Sequence, residues 1–265
     1  MRTHDPRLHG LSALAIDRRR FLAVTDLGAV VRFDPPTATQ PAATLQDLRI
    51  GPGPFGKKWA RDAESLARDP QGRGWWVGYE QSHSLWLYGD DFLHALASSD
   101  LHRPDWWNNR GAEGLIAEAS GLLVLAENGR EAMPVQDKRI DRIKLDAGAD
   151  VADAARALDG SAWLLLRSKG LHGISQSIAR LSRTSYGYGA GPAWPVPKGF
   201  FDNYEGMAIE RLASGDLRFW LVSDDGHRIM ARTLLVALDY APPARHDKSP
   251  AHHTGLSRKP SGKTP

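Results

Sequence analysis

Short runs of apolar, β-branched and aromatic residues alternate along the chain with clusters of Gly, Asp, Asn and Pro, a pattern of strands and turns rather than of helices. The most complete copy covers residues 203–226. An acid, a small residue and an apolar pair (Glu205, Gly206, Met207, Ala208) lead through a Gly-containing turn to an apolar run that ends in Asp224. The same order recurs from Glu64 to Glu80 and from Glu113 to Glu127, and a weaker copy runs from Gly10 to Asp26. A degenerate copy at 158–167 ends in Arg167 instead of an acid. A third alternating run follows each copy, at 29–34, 84–88, 139–145, 177–182 and 229–238.

Each copy predicts two short antiparallel strands, with the third run as their neighbour. Glu64 and Glu113 stand 49 positions apart, a spacing that suits a radial β architecture better than a solenoid, which needs capped ends and more uniform repeats. The predicted fold is all-β, a β-propeller with five repeat units visible and five or six blades, the units beginning near Leu11, Glu64, Glu113, Ala155 and Glu205. Pro- and Gly-rich stretches predict long connections at 35–59, with an edge strand at 47–50, and at 90–110 and 185–199. Residues 151–158 predict one short helix that starts near Asp153.

In a radial fold, equivalent positions face one axis. The acids that open and close the units, Asp26, Glu64, Glu80, Glu113, Glu127, Glu205 and Asp224, would then converge at one mouth of a central channel. That many carboxylates raise one another's pKa values unless a cation compensates them. An oxygen-rich ring suits a hard divalent ion, calcium first. The other reading is structural: acids at strand ends accept backbone N–H groups and hold one unit to the next. Repetition alone is compatible with both.

The segments Arg61-Asp-Ala-Glu-Ser-Leu-Ala67, Asn109-Arg-Gly-Ala-Glu-Gly-Leu115 and Asn203-Tyr-Glu-Gly-Met-Ala208, together with Glu127, Asp224 and the Gly10-Leu-Ser12 opening, resemble the phytase-like family called "esterase-like activity of phytase". The likeness runs from Leu8 to about Tyr240. It implies a β-propeller whose recurrent Glu and Asp hydrolyse an ester or phosphoester of a small molecule. On this reading Glu113 and Glu205 are the catalytic carboxylates, and Arg110 or Arg167 steadies the substrate anion. Members of that family carry an export signal, so the resemblance implies a periplasmic or secreted protein if the start is truncated, and a cytoplasmic one otherwise. In the fourth unit the family shows an acid beside an arginine, where this chain has Leu166-Arg167.

Charge and composition narrow the picture. The chain has 265 residues, 42% of them hydrophobic, and no cysteine, which excludes disulfides and thiolate chemistry. Its net charge of +3 and pI near 9.2 arise from the last residues, where Arg245, Lys248, Arg258, Lys259 and Lys263 face only Asp247. A single domain is therefore expected over residues 1–243, nearly neutral and with no nucleic-acid face, followed by a disordered basic tail at 244–265. The arginines at 18–20 resemble a twin-arginine export signal, but Thr25 and Asp26 interrupt the apolar segment after them; a turn feeding a strand is the expectation. No run approaches the ~18 apolar residues of a membrane span.

Serine esterase chemistry finds no Gly-x-Ser-x-Gly elbow, and Ser12, Ser65 and Ser175 have no visible triad. His9, His172 and His227 are candidate proton carriers that read as loop residues. Two functions therefore stand side by side: a metal-dependent hydrolase of phosphoric or carboxylic esters, and a non-catalytic propeller whose Trp106, Trp107, Tyr186 and Trp194 bind a glycan or a protein.

Overall fold

The computed structural model describes residues 8–39, 41–101, 111–137, 139–171, 173–199, 202–225 and 233–241. Arg110, Trp106, Trp107, His172, His227 and the 244–265 tail lie outside them.

The first unit is a meander of β1 (Leu11–Asp17), β2 (Arg20–Thr25), β3 (Ala29–Phe33) and β4 (Ala43–Asp47), each strand pairing antiparallel with the next. One helical turn, α1 (Lys58–Arg61), leads into the second meander: β5 (Ala63–Arg68), β6 (Trp75–Tyr79), β7 (Ser84–Tyr88) and β8 (Ala95–Asp100). The third unit comprises β9 (Ala112–Glu118), β10 (Gly121–Ala126), β11 (Glu131–Gln136) and the fragments β12 (Arg139–Ile140) and β13 (Ile143–Asp146). The fourth comprises β14 (Asp150–Arg156), β15 (Ala162–Gly170), β16 (Gly173–Thr184) and β17 (Gly187–Pro195). A parallel pairing of β13 with β17, Leu145 opposite Tyr188, joins these two units into one nine-stranded sheet. The fifth unit is β18 (Asn203–Arg211), β19 (Leu217–Asp224) and β20 (Leu235–Tyr240).

The first strands of the units are neighbours in a closed order: β1 beside β5, β5 beside β9, β9 beside β14, β14 beside β18, and β18 beside β1. The core is divided in the same way. One cluster joins the first two units through Leu22, Val24, Val77 and Tyr79. Others lie between the second and third (Leu85, Leu115, Val124), the third and fourth (Leu125, Val151, Leu164), and the fourth and fifth (Trp163, Leu165, Met207, Phe219). The last, with Leu14, Phe21 and Val222, closes the fifth unit onto the first, where Phe21 and Trp220 meet edge to face at 5.0 Å. Sheets packed face against face around an axis make this a β-propeller, and the all-β expectation holds.

Local differences have physical causes. Residues 151–158 are mostly strand, not helix, because Val151 to Ala154 are buried on both faces of β14 and carry no alternation. Two stretches read as loops contain β8 and β17. Both are outer strands of their units, exposed along much of their length. The outer strand after β3 is 43–47 rather than 47–50. The third strand of the third unit is 131–136, upstream of the run at 139–145, which is split between β12 and β13.

Candidate metal and catalytic site

Every first strand carries the same irregularity. In β1, β5, β9, β14 and β18 the pairing register slips by one residue near the start, which leaves Ser12, Glu64, Glu113, Ala152 and Glu205 as the extra residue opposite the second strand. A β-bulge of this kind bends the strand and re-aims the side chain at the bulge. Asp26, Glu80 and Glu127 stand immediately after the second strands of their units, Asp224 is the last residue of β19, and Arg167 lies within β15, three residues before its end. The backbone N–H groups of three of them are fixed by carbonyls at the start of the unit: Asp26 by Gly10 (2.9 Å), Glu80 by Asp62 (2.8 Å) and Glu127 by Gly111 (3.1 Å).

Nine of these ten positions line one cavity of about 200 Å³, to which Lys58 of α1 is added; only Ala152 does not reach it. The structure thus brings Asp26, Glu64, Glu80, Glu113, Glu127, Glu205, Asp224 and Arg167 to one place. Seven carboxylates there face two cations. Lys58 Nζ lies 2.7 Å from Asp26 Oδ2 and 3.3 Å from Asp62 Oδ1. Arg167 donates to Glu127 Oε1 at 2.9 Å and to Glu205 Oε1 at 2.5 Å, and the Asn203 amide also donates to Glu205.

Two overlapping triads hold carboxylate oxygens within 4.8 Å of one another: Asp62, Glu64 and Glu80, and Glu80, Glu113 and Glu127. Asp62 is also within hydrogen-bonding reach of both Glu64 and Glu80. Two carboxylates can share such a contact only if one carries a proton or a cation takes the proton's place. Burial, then the charge of Asp62, pushes Glu80 up to about 8. Burial and the charge of Glu113 hold Glu64 well above the usual range, and burial with Glu205 and Glu80 does the same to Glu113. Asp26 and Glu205 are raised by burial, opposed by Lys58 and Arg167 respectively. Oδ1 of Asp26 is buried with no hydrogen-bond partner among the described residues.

Asp62 and Lys58 were not among the sequence candidates. Their i, i+4 spacing across a short helical turn was the available signal. Asp153 was also missed as a buried carboxylate. It lies beneath the ring, accepts from the backbone N–H groups of Ala154 and Met207, each at 2.6 Å, and ties the fourth unit to the fifth. Burial raises its pKa well above normal against these hydrogen bonds. His9 is outside the cavity, with Nδ1 2.6 Å from Asp225 Oδ2. Of the aromatic candidates, Trp194 packs at 5.5 Å from Trp163 and 4.8 Å from Tyr240. Tyr186 is exposed beneath the Lys144 ammonium. Among the described residues no helix is long and apolar enough to cross a membrane.

Similar solved structures include Myxococcus xanthus glutaminyl cyclase, 13% identical over 82% of this chain and 86% of that one, with a TM-score of 0.53. Kuenenia stuttgartiensis hydrazine synthase is 12% identical (TM-score 0.45), and the match spans 83% of this chain but only 58% of the other. The β-propeller domain of Myceliophteria thermophila Cps50 (Swd1) is 12% identical over 91% of this chain and 73% of that one (TM-score 0.43). At these identities the likeness is one of fold. No curated protein matches the chain. The model of the phytase-like family, described as "Esterase-like activity of phytase", matches residues 6–162, more than half of the chain and the part that supplies Glu64, Glu80, Glu113 and Glu127, and the protein belongs to that family.

Proposed function

We propose that the protein is a metal-dependent hydrolase of phosphoric or carboxylic esters that works at this carboxylate ring. The observation that carries the proposal is the pair of triads sharing Glu80. The residues fit a hard divalent cation: the donors are all carboxylate oxygens, they outnumber the cations in the cavity seven to two, and Asp62 makes contacts with Glu64 and Glu80 that require a proton or a cation. Glu80, Glu113 and Glu127, or Asp62, Glu64 and Glu80, would hold the ion. A bound calcium-like ion would polarise the ester oxygen and acidify its own water.

The chain's own groups supply the rest. Glu205, and Glu113 where Asp62, Glu64 and Glu80 hold the ion, retain protons at neutral pH more readily than free glutamates and are the candidates for proton transfer to and from the reacting oxygen. Arg167 has both terminal nitrogens committed to Glu127 and Glu205, while its buried Nε lacks a hydrogen-bond partner among the described residues. It serves as the ring's built-in counter-charge, in the position that four other units give to an acid. Membership in the phytase-like family supports a hydrolase. The packing of Trp194 against Trp163 and Tyr240 gives the glycan-binding alternative no added support.

The test is calcium-dependent melting together with hydrolysis of p-nitrophenyl phosphate, bis-p-nitrophenyl phosphate and p-nitrophenyl acetate. Calcium should raise Tm by mass action, and Glu80→Gln, common to both triads, should abolish most of that rise and the hydrolysis with it. Unchanged melting with calcium and with chelator, and no turnover of any of the three esters, would overturn the proposal.

A further inference from the structure

The opposite mouth of the channel has the reverse character. A second cavity of about 740 Å³ is lined by the later residues of all five first strands, from Leu14 in β1 through Leu66, Leu115 and Ala154 to Ile209 in β18. It lies on the same axis as the carboxylate ring, beyond a zone where the strands are in close contact. A Cβ on Gly206 would lie 2.8 Å from the Ala13 carbonyl carbon, and one on Gly114 would lie 2.9 Å from the Ala154 Cβ. Its wall is apolar and its rim is arginine: seven arginines and a single acid, Glu210, border it.

Four of those arginines are held by acids that do not border the cavity: Arg20 by Asp34, Arg68 by Asp90, Arg156 by Glu118 and Arg218 by Asp239. The remaining three, Arg18, Arg19 and Arg211, are exposed and form no ion pair with an acid among the described residues. Arg18 adopts a left-handed backbone, φ 60°, in the turn between β1 and β2, so that this turn presents two successive guanidinium groups at the rim. Trp75 and Trp220 add aromatic faces to the wall, each with an arginine over its ring, Arg68 at 5.3 Å and Arg218 at 5.8 Å.

We propose that this funnel is a second binding site, independent of the carboxylate ring, for a small organic anion: an aromatic or branched apolar body seated on the strand walls with a sulfonate, phosphonate or carboxylate head at Arg18, Arg19 and Arg211. Its volume is that of a site for a single small molecule, and its composition, apolar walls with a few convergent charged groups, is that of ligand pockets generally. Guanidinium groups are the donors best matched to such heads, because they bind them in a bidentate manner and remain charged. A free inorganic anion would leave the apolar wall unused, and a neutral hydrocarbon would leave the three arginines unused. The site thus selects a ligand that carries both parts.

Isothermal titration of the full chain with 2-naphthalenesulfonate, in the presence of chelator so that the other mouth holds no metal, tests the proposal. One molar equivalent should bind. Sulfate and 2-naphthalenemethanol should each bind at least about tenfold more weakly, since each satisfies only half the site. The double variant Arg18→Ala/Arg19→Ala and the single variant Arg211→Ala change exposed residues, and circular dichroism will confirm that they fold. They should weaken the sulfonate by about tenfold or more without changing the weak binding of 2-naphthalenemethanol. The proposal is overturned if 2-naphthalenesulfonate does not bind at about 1 mM, a Kd that corresponds to only about 4 kcal/mol, if the neutral alcohol binds equally well, or if the folded arginine variants bind the sulfonate as tightly as the parent protein.

Discussion

Arg167 donates to Glu205 across 2.5 Å and so joins the closing position of the fourth unit to the bulge position of the fifth. Its other arm reaches back to Glu127 in the third unit. Burial works against the charge of Arg167, but Glu205, Glu113 and Glu127 outweigh it and raise its pKa. One arginine therefore spans three units at the point where like charges would otherwise separate them.

Replacing this arginine with a neutral residue of similar length tests that role. Arg167→Met should destabilise the metal-free protein by about 3 kcal/mol at pH 8, the range for a buried pair that loses one partner. The loss should be smaller at pH 5, because burial biases Glu205 towards its protonated form and lower pH favours that form further. Denaturant melts at the two pH values measure both figures. Equal losses at both would mean that Arg167 acts through packing.

The pH dependence of the metal-free protein follows from the raised glutamates. Glu80 titrates near 8 when folded and near the ordinary ~4.3 when unfolded. Between these values the folded state holds the extra proton, so stability is full below the unfolded value and declines as pH rises towards 8. The decline is about 1.4 kcal/mol per pH unit for each proton so retained. Glu64 and Glu113 shift in the same direction. Tm measured in chelator should therefore fall from pH 5 to pH 8.5. Calcium should reverse the trend, because its binding releases the same protons. A chelated protein that becomes more stable with rising pH would contradict the assignment.

Gly206 follows the bulge residue Glu205 at the tightest point of the axis. A Cβ there would meet Val222 Cγ1 at 2.7 Å and the Leu14 nitrogen at 2.9 Å. Since two of its nearest neighbours are backbone atoms, Gly206→Ala should cost about 1–3 kcal/mol by overpacking. Gly215, with open space around its Cβ but φ +91°, should lose less on the same change, about 1 kcal/mol from the backbone alone. Paired urea melts decide.

The segment 244–265 lacks any apolar periodicity and concentrates the chain's excess positive charge. Truncation after Ala244 is expected to leave Tm within about 2 °C of the full chain. A larger fall would assign the segment a place in the fold.

The unit pattern was legible because acids and apolar runs repeat at matching positions, and the seven acids that face the cavity follow from that repetition, whereas Arg167 entered as a site residue through the family resemblance. The first strand of the fourth unit was hidden for two reasons. Its bulge residue is Ala152, which carries no charge to mark it, and β14 is small-residue strand buried on both faces, without the alternation that distinguishes strand from helix. Lys58 was overlooked because it precedes the repeat, on a single helical turn at the end of a Pro- and Gly-rich connection, and Asp62 because it opens the second copy two residues before the recurring Glu64 and has no acid counterpart in the other copies. The arginine funnel could not have been anticipated: Arg18, Arg68, Arg156 and Arg211 are scattered in sequence and only the ring order of the first strands brings them together.

The recurring slip of register has an evolutionary corollary. A residue that stands opposite no partner has no pairing duty, so its identity can drift without disturbing the ladder on either side. Ser12, Glu64, Glu113, Ala152 and Glu205 already display three chemistries in one such slot within a single molecule. The scaffold behaves as a socket with interchangeable pins, and the charge presented to the cavity can be refitted one pin at a time.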